Sequence, residues 1–275
     1  MPGEGPSPEA LVRTLGTQAL PLFFALLLAL LLVATVLWWL ARRYAVPRET
    51  DYLPPSAYLL IRLALGFAVV VGAAAVFAEA AEVLGDGHWA GKLDQIFSEA
   101  VHQSISAQTF RIFAWATHLG DTLTLTLLCI VVALLLVVQR RRWLALAWTL
   151  AFIGNAVLNS TLKAIFARAR PLHDETLIHV QGFSFPSGHS SGAVVAYGML
   201  AYVLLHSLSP AQASRAGLPV VLATTALAFT IGCSRIFIQV HFATDVLAGY
   251  ASGTAWLAVC IGSIEATRHY RQPRG

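Results

Sequence analysis

The sequence predicts an all-α protein, a polytopic bundle of transmembrane helices, and three observations carry that reading. Of its 275 residues, 57% are hydrophobic and only 12% are charged, about half the ~25% charged fraction usual in soluble domains. Mean hydropathy is +0.68. Runs such as 20–40 and 123–138 hold almost nothing that water must solvate, and a hydrocarbon layer about 30 Å thick takes roughly 20 apolar residues per helix.

Cutting the apolar runs at charges, Pro and Gly gives seven spans, near 20–40, 58–79, 121–138, 143–162, 190–206, 218–234 and 244–262. A Pro/Gly-rich start at 1–8 reads as disordered. The run 20–40 is too long for a cleavable signal and has no basic flank before it, so it reads as a retained helix. Between the second and third spans, Leu93, Ile96, Phe97, Ala100 and Val101 recur at helical spacing with Asp94, Gln95, Ser98 and Glu99 between them. That pattern predicts an amphipathic helix within 86–118, lying on the membrane surface. Cys129, Cys233 and Cys260 lie in or at the ends of apolar runs without metal-ligand spacing, and read as buried free thiols. Trp38, Trp39, Trp143 and Trp148 read as interfacial anchors.

The formal charge of +4 and pI near 9.2 report topology, not a nucleic-acid footprint, because the basic residues cluster beside apolar runs. Arg42, Arg43 and Arg48 follow the first span, Arg140, Arg141 and Arg142 join the third to the fourth, and Arg268, Arg271 and Arg274 end the chain. With seven spans all three clusters share one face, which the positive-inside rule makes cytoplasmic. The opposite face takes an acidic loop with Glu82, Asp86, Asp94 and Glu99, the segment 163–189 and the connection 235–243.

Those last two stretches concentrate Lys163, Arg168, Arg170, His173, His179, His189, Arg235, His241 and Asp245 on the face where positive charge is scarce. Ionisable residues at span ends are costly and mark function, so an anionic ligand is expected. Asn155, Asn159 and Lys163, four apart, form one polar stripe on a helix; the two Asn suit interhelical hydrogen bonding. Phe185 to Gly192 opens an apolar helix with Pro186 and Ser187 as start signals. Free amides there, with Gly188 admitting close approach, suit phosphate. His189 stands beside that anion as a proton donor. Asp245, four residues after His241, can fix the imidazole tautomer and sharpen its other nitrogen as a nucleophile.

These residues resemble the type 2 phosphatidic acid phosphatase (PAP2) family. The three motifs are Lys163 to Pro171 (Lys, six residues, Arg-Pro), Pro186 to His189 (Pro-Ser-Gly-His), and Ser234 to Asp245 (Ser-Arg, five residues, His, three residues, Asp). Thr117-His118-Leu119-Gly120-Asp121 resembles the family's usual lead into its core, and Ala243 departs from a Pro that members often carry. The resemblance covers about 58–263 and implies a six-helix core, flanked by 1–57 (tail, extra helix and basic loop) and a basic cytoplasmic tail, 264–275. It implies a membrane lipid phosphatase in which His241 attacks phosphorus, Asp245 holds the imidazole, and His189 protonates the leaving oxygen and then activates water. Lys163, Arg170, Arg235, Ser187 and Gly188 would hold the phosphate oxygens.

No metal or other cofactor is implied, and the chain has no carboxylate cluster of the kind magnesium needs. The expected partners are a lipid phosphate and the bilayer, with no nucleic acid; the oligomeric state stays open. The expected setting is a bacterial plasma membrane with the site on the periplasmic or extracellular face. Arg168 has two equal readings, assisting phosphate or snorkelling to the interface. His173 and His179 face water or touch a head group, and His118 is a helix-end residue bonded to Asp121 or backbone. Phosphatidic acid, phosphatidylglycerol phosphate and a polyprenyl diphosphate stay open as substrates. So do a phosphotransferase with the same nucleophile and a non-enzymatic lipid-phosphate binder or transporter.

Overall fold

The computed structural model describes residues 7–44, 55–85, 89–171 and 182–271. His173 and His179 lie outside the described residues, as do Arg48, Asp86 and most of the predicted N-terminal tail. The chain forms α1 (Pro8–Thr17), α2 (Ala19–Tyr44), α3 (Pro55–Gly85), α4 (Trp89–Ser104), α5 (Ala107–Thr117), α6 (Thr122–Val138), α7 (Arg142–Phe166), α8 (Gly188–Leu205), α9 (Pro210–Phe237) and α10 (Ala243–Arg271). A 3-10 turn over His118–Gly120 joins α5 to α6. Among the described residues, six helices are long and apolar enough to cross a membrane, and α5 with α6, bent by 41° at the break between them, passes that test only as a pair. The all-α polytopic bundle agrees with expectation; of the seven expected spans, six are single helices long and apolar enough to cross, and the third, 121–138, falls on the bent α5–α6 pair.

Local chemistry explains several boundaries. Ser7 caps α1 by accepting from the Ala10 amide, with Pro8 at the first position. Ser209 and Gln212 close a capping box at the start of α9, so α9 begins eight residues before the apolar run that predicts it. Ala167, left-handed at φ 45°, ends α7 and turns the chain towards the site. The helix α10 runs on to Arg271, with Ile264 buried inside it.

The elements pack in pairs around α8, α9 and α10. α3 lies along α10, α2 along α9, and α1 along α4. Trp148 anchors one core cluster with Val195, Met199 and Ile264. It is fully buried, with its Nε1 donating to the Cys129 carbonyl at 2.9 Å, so it is a core residue and not the expected interfacial anchor. A second cluster joins Phe23 of α2, Phe113 of α5 and Phe237 of α9, the last two rings stacked 4.0 Å apart. The predicted surface helix also differs. It is two helices, and α4 turns Asp94 and Ser98 inward, both buried, while α1 packs along it. The cysteines are free thiols.

Candidate active site

The three motifs meet at one end of the bundle. There α7 ends, α8 begins, and a turn over 238–242 carries the chain from α9 into α10. That turn is built on Gln239, a buried residue at φ 61°, whose side chain accepts from Ser98 Oγ at 3.0 Å and donates to the Ile236 carbonyl at 2.8 Å. These bonds hold a left-handed conformation that a non-glycine residue adopts only at a cost.

His241 follows and is buried to 2% exposure. Its Nδ1 lies 3.3 Å from Asp245 Oδ2. A carboxylate only accepts, so the proton sits on Nδ1 and Nε2 carries the lone pair, the acceptor for a guanidinium N–H. That nitrogen is 3.2 Å from the Arg170 guanidinium. Burial pulls the His241 pKa down to about 3 against the opposing pull of Asp245, with Arg170 and Arg235 pushing the same way as burial. The imidazole is therefore neutral near pH 7, the nucleophilic form.

Asp245 is itself fixed on both oxygens. Oδ2 also accepts from the Phe242 amide at 2.9 Å and from the Ser184 hydroxyl, and Oδ1 accepts from Arg168 at 2.7 Å. Neither reading of Arg168 holds. It is tied between Asp245 and Asp94, the latter at 2.8 Å, and lies over the Phe242 ring at 4.2 Å, so it neither reaches for phosphate nor snorkels. Burial raises the Asp94 pKa despite bonds from Thr244 and Arg168.

The remaining cations find only neutral partners. Lys163 donates to the Phe183 carbonyl at 2.6 Å and the Ser184 carbonyl at 3.3 Å. Arg170 donates to the carbonyls of Gly182 at 3.0 Å and Val240 at 2.8 Å. Burial lowers its pKa while Asp245 opposes. Arg235, 4% exposed, donates to the Thr117 hydroxyl at 2.7 Å, and its Nε is buried with no partner among the described residues. A buried, unsatisfied guanidinium N–H is expensive, and a phosphate oxygen would satisfy it.

Ser187 caps α8, accepting from the Ser190 amide at 3.4 Å. A Cβ at Gly188 would come within 3.0 Å of Asn159 Oδ1, so glycine lets α7 approach the start of α8. Asn159 also donates to Ser191 across the helices at 3.3 Å, whereas Asn155 Oδ1 has no partner. His189 meets Asp121 at 2.9 Å, and His118 meets the other oxygen of that carboxylate at 2.7 Å. At Gly120 a Cβ would collide with the Ile231 side chain and come within 3.0 Å of the His189 ring, so glycine gives both side chains room. Ser184, the partners of Thr117 and Asp94, and the second bond of Asp121 escape the sequence reading, because no spacing links them to the motif residues they bond.

This is a membrane-embedded helical bundle with a buried histidine–carboxylate pair beside a cluster of cations, the equipment of a phosphate-handling protein. Comparison makes the class specific. The chain matches the PAP2 superfamily over residues 142–268. It is 34% identical over 156 residues to phosphatidylglycerophosphatase B of Bacillus subtilis, covering 57% of this chain and 75% of that protein. It is 28% identical to an undecaprenyl-diphosphatase of Sulfolobus acidocaldarius, over 50% of this chain and 63% of the relative. The crystal structure of a transmembrane PAP2-type phosphatidylglycerolphosphate phosphatase from Bacillus subtilis superposes with a TM-score of 0.65 at 28% identity, covering 72% of this chain and 98% of that one. The chain belongs to the PAP2 superfamily and is an integral-membrane phosphatase.

Proposed function

We propose that the protein hydrolyses a phosphomonoester or diphosphate of a membrane lipid through a phosphohistidine on His241. The observation that carries this is the pair itself: a buried, neutral imidazole whose Nδ1 is held by Asp245 and whose Nε2 faces Arg170. In the first step the Nε2 lone pair attacks phosphorus in line, the P–O bond to the lipid breaks, and His189 gives its proton to the departing oxygen. The positive charge that develops on the imidazole is balanced by Asp245. In the second step His189 takes a proton from water, the hydroxide oxygen attacks phosphorus, and the P–N bond breaks to release phosphate. Lys163, Arg170 and Arg235, with the Ser187 hydroxyl and the Gly188 amide, neutralise the equatorial oxygens, the main demand of phosphoryl transfer.

We read the chemistry as metal-independent, with the side-chain cations Lys163, Arg170 and Arg235 supplying the charge that meets the phosphate oxygens. The relatives named for phosphatidylglycerophosphate and undecaprenyl diphosphate support a lipid substrate whose tails stay in the bilayer while its head enters at the helix ends. The cluster Arg140–Arg142 at the far end of α6 supports a periplasmic site in a bacterial plasma membrane. Impermeant thiol labelling of Phe183→Cys in intact cells tests that side, and labelling only after lysis rejects it.

The deciding experiment is phosphate release by purified protein in detergent with excess EDTA, across lipid mono- and diphosphates, beside His241→Ala. The expected loss in the variant is on the order of 10⁴-fold or more, with an acid-labile phosphoenzyme trapped only in the parent. Release undiminished in His241→Ala overturns the reading.

A further inference from the structure

The helix α4 lies outside the stretch that matches the superfamily, yet it braces the turn bearing His241 from both sides. Ser98 bonds Gln239 before His241. One helical turn earlier, Asp94 bonds Thr244 after it: Oδ1 accepts the Thr244 amide at 3.4 Å and Oδ2 accepts the Thr244 hydroxyl. The same Oδ2 takes one arm of Arg168 at 2.8 Å, while the other arm reaches Asp245 at 2.7 Å and the Thr244 hydroxyl at 2.8 Å. Asp94 and Asp245 are 5% and 0% exposed. A carboxylate buried this deeply, far in sequence from its partners, costs stability unless paired.

The charge arithmetic says what the pairing does. A guanidinium bound to Asp245 alone would cancel the negative charge that Asp245 presents to the imidazole. Shared between Asp94 and Asp245, Arg168 leaves the trio with one net negative charge. That is the charge His241 needs beside it when phosphorylation makes the ring cationic.

We propose that Asp94 is a positioning residue for the reaction, setting through Arg168 and Thr244 both the place and the effective charge of Asp245, and so the reactivity of His241. The proposal rests on the phosphohistidine reading. Asp245 from α10, Arg170 from the segment after α7 and Arg235 from α9 act on His241 directly. Lys163 from α7 and Arg168 act on Asp245, His189 from α8 lies among Arg170, Arg235 and Asp121, and Asp94 from α4 pairs with Arg168. Asp121 balances His189 from the break between α5 and α6. Removing the Asp94 charge therefore tips an already cationic surround further positive.

The test is the pH dependence of kcat for the full-length protein in detergent, with the best lipid phosphate from the panel above. Asp94→Asn should lower kcat 10- to 100-fold, the range for groups that orient a reactive residue, with KM within about twofold. The acid limb of kcat should move to lower pH, because an unshared Arg168 disfavours protonated His241. Arg168→Gln should move that limb the opposite way, and Arg168→Lys should lower kcat with the limb left in place. Asp94→Ser, which also removes the charge, carries the same expectation as Asp94→Asn and decides the matter if the Asn variant does not fold. Parent-like kcat, or reduced kcat with an unmoved acid limb in the charge-removing variants, overturns the proposal. Mapping the trapped phosphoryl group separates the two layers: a label on His241 with parent-like Asp94 variants sinks only this inference, whereas a label elsewhere sinks the phosphohistidine reading.

Discussion

Helices α8 and α10 carry a polar cluster at each end, and the two clusters are built on opposite plans. At the far end Glu265 of α10 gathers the Tyr202 hydroxyl at 2.6 Å, His206 and Arg268 at 3.4 Å, and Arg62 of α3 at 3.5 Å. Donors converge on one carboxylate. At the site end the carboxylates are spoken for, Asp94 and Asp245 by Arg168 and Asp121 by two histidines. Lys163, Arg170 and Arg235 form no ion pair among the described residues, and one nitrogen of Arg235 bonds nothing there. A balanced cluster closes a bundle, whereas a buried cation without counter-charge, as Arg235 is, with two half-buried cations beside it, is tolerable only where an anion completes the group.

The contrast breaks most sharply at Arg235. Arg235→Ala removes a donor whose worth appears when phosphate charge redistributes, so kcat/KM should fall on the order of 10²- to 10³-fold, about 3–4 kcal/mol of transition-state stabilisation. The empty protein should lose little thermal stability, because the deleted group is a buried charge with an unsatisfied N–H. A large drop in melting temperature with modest loss of activity would make Arg235 a structural residue and erase the distinction between the two ends.

Acid sharpens the same contrast through stability. In the unfolded chain His241 titrates near 6.5, while in the fold burial holds it down to about 3. Protons thus bind the unfolded chain more readily over that interval. The contribution is intact above about pH 6.5 and is lost progressively as pH falls towards 3. His241→Asn should flatten the decline in melting temperature between pH 6.5 and 4.5. An unchanged slope would mean that His241 is not held neutral.

How much of this was legible in the sequence follows from where each bond partner lies. The spans and the cationic face were readable because apolar runs and motif residues are local patterns, and Ser187 carries its capping role within three residues of itself. Arg168 was misread because its partners are 74 and 77 residues away. In the sequence phosphate and interface are equally open to it, and the fold gives it neither role. Asp94 and Ser98 looked like the wet face of a surface helix, since period alone does not say that α1 covers the other side. α1 itself had a readable start, Ser7 followed by Pro8, hidden by the surrounding Pro and Gly. Trp148 shows the limit of composition: the same indole serves an interface or a core, and only the Cys129 carbonyl within reach decides.

The smallest effect belongs to the far end. Tyr202→Phe deletes a hydroxyl that donates to Glu265 at 2.6 Å and accepts from Arg268 at 3.4 Å, and it leaves the ring tilted 4.0 Å from His206. Glu265 keeps His206, Arg268 and Arg62, so the carboxylate is not stranded, and the loss should be that of a short bond to a charged group with a long second one, about 2 kcal/mol. That appears as a melting temperature lower by a few degrees. Turnover should be unchanged within about twofold, because the substitution sits at the opposite end of α8 from His189 and shares no partner with the site, the condition under which effects stay independent. If Tyr202→Phe instead lowers kcat as strongly as it lowers stability, α8 transmits strain along its length, and the two ends are one coupled unit.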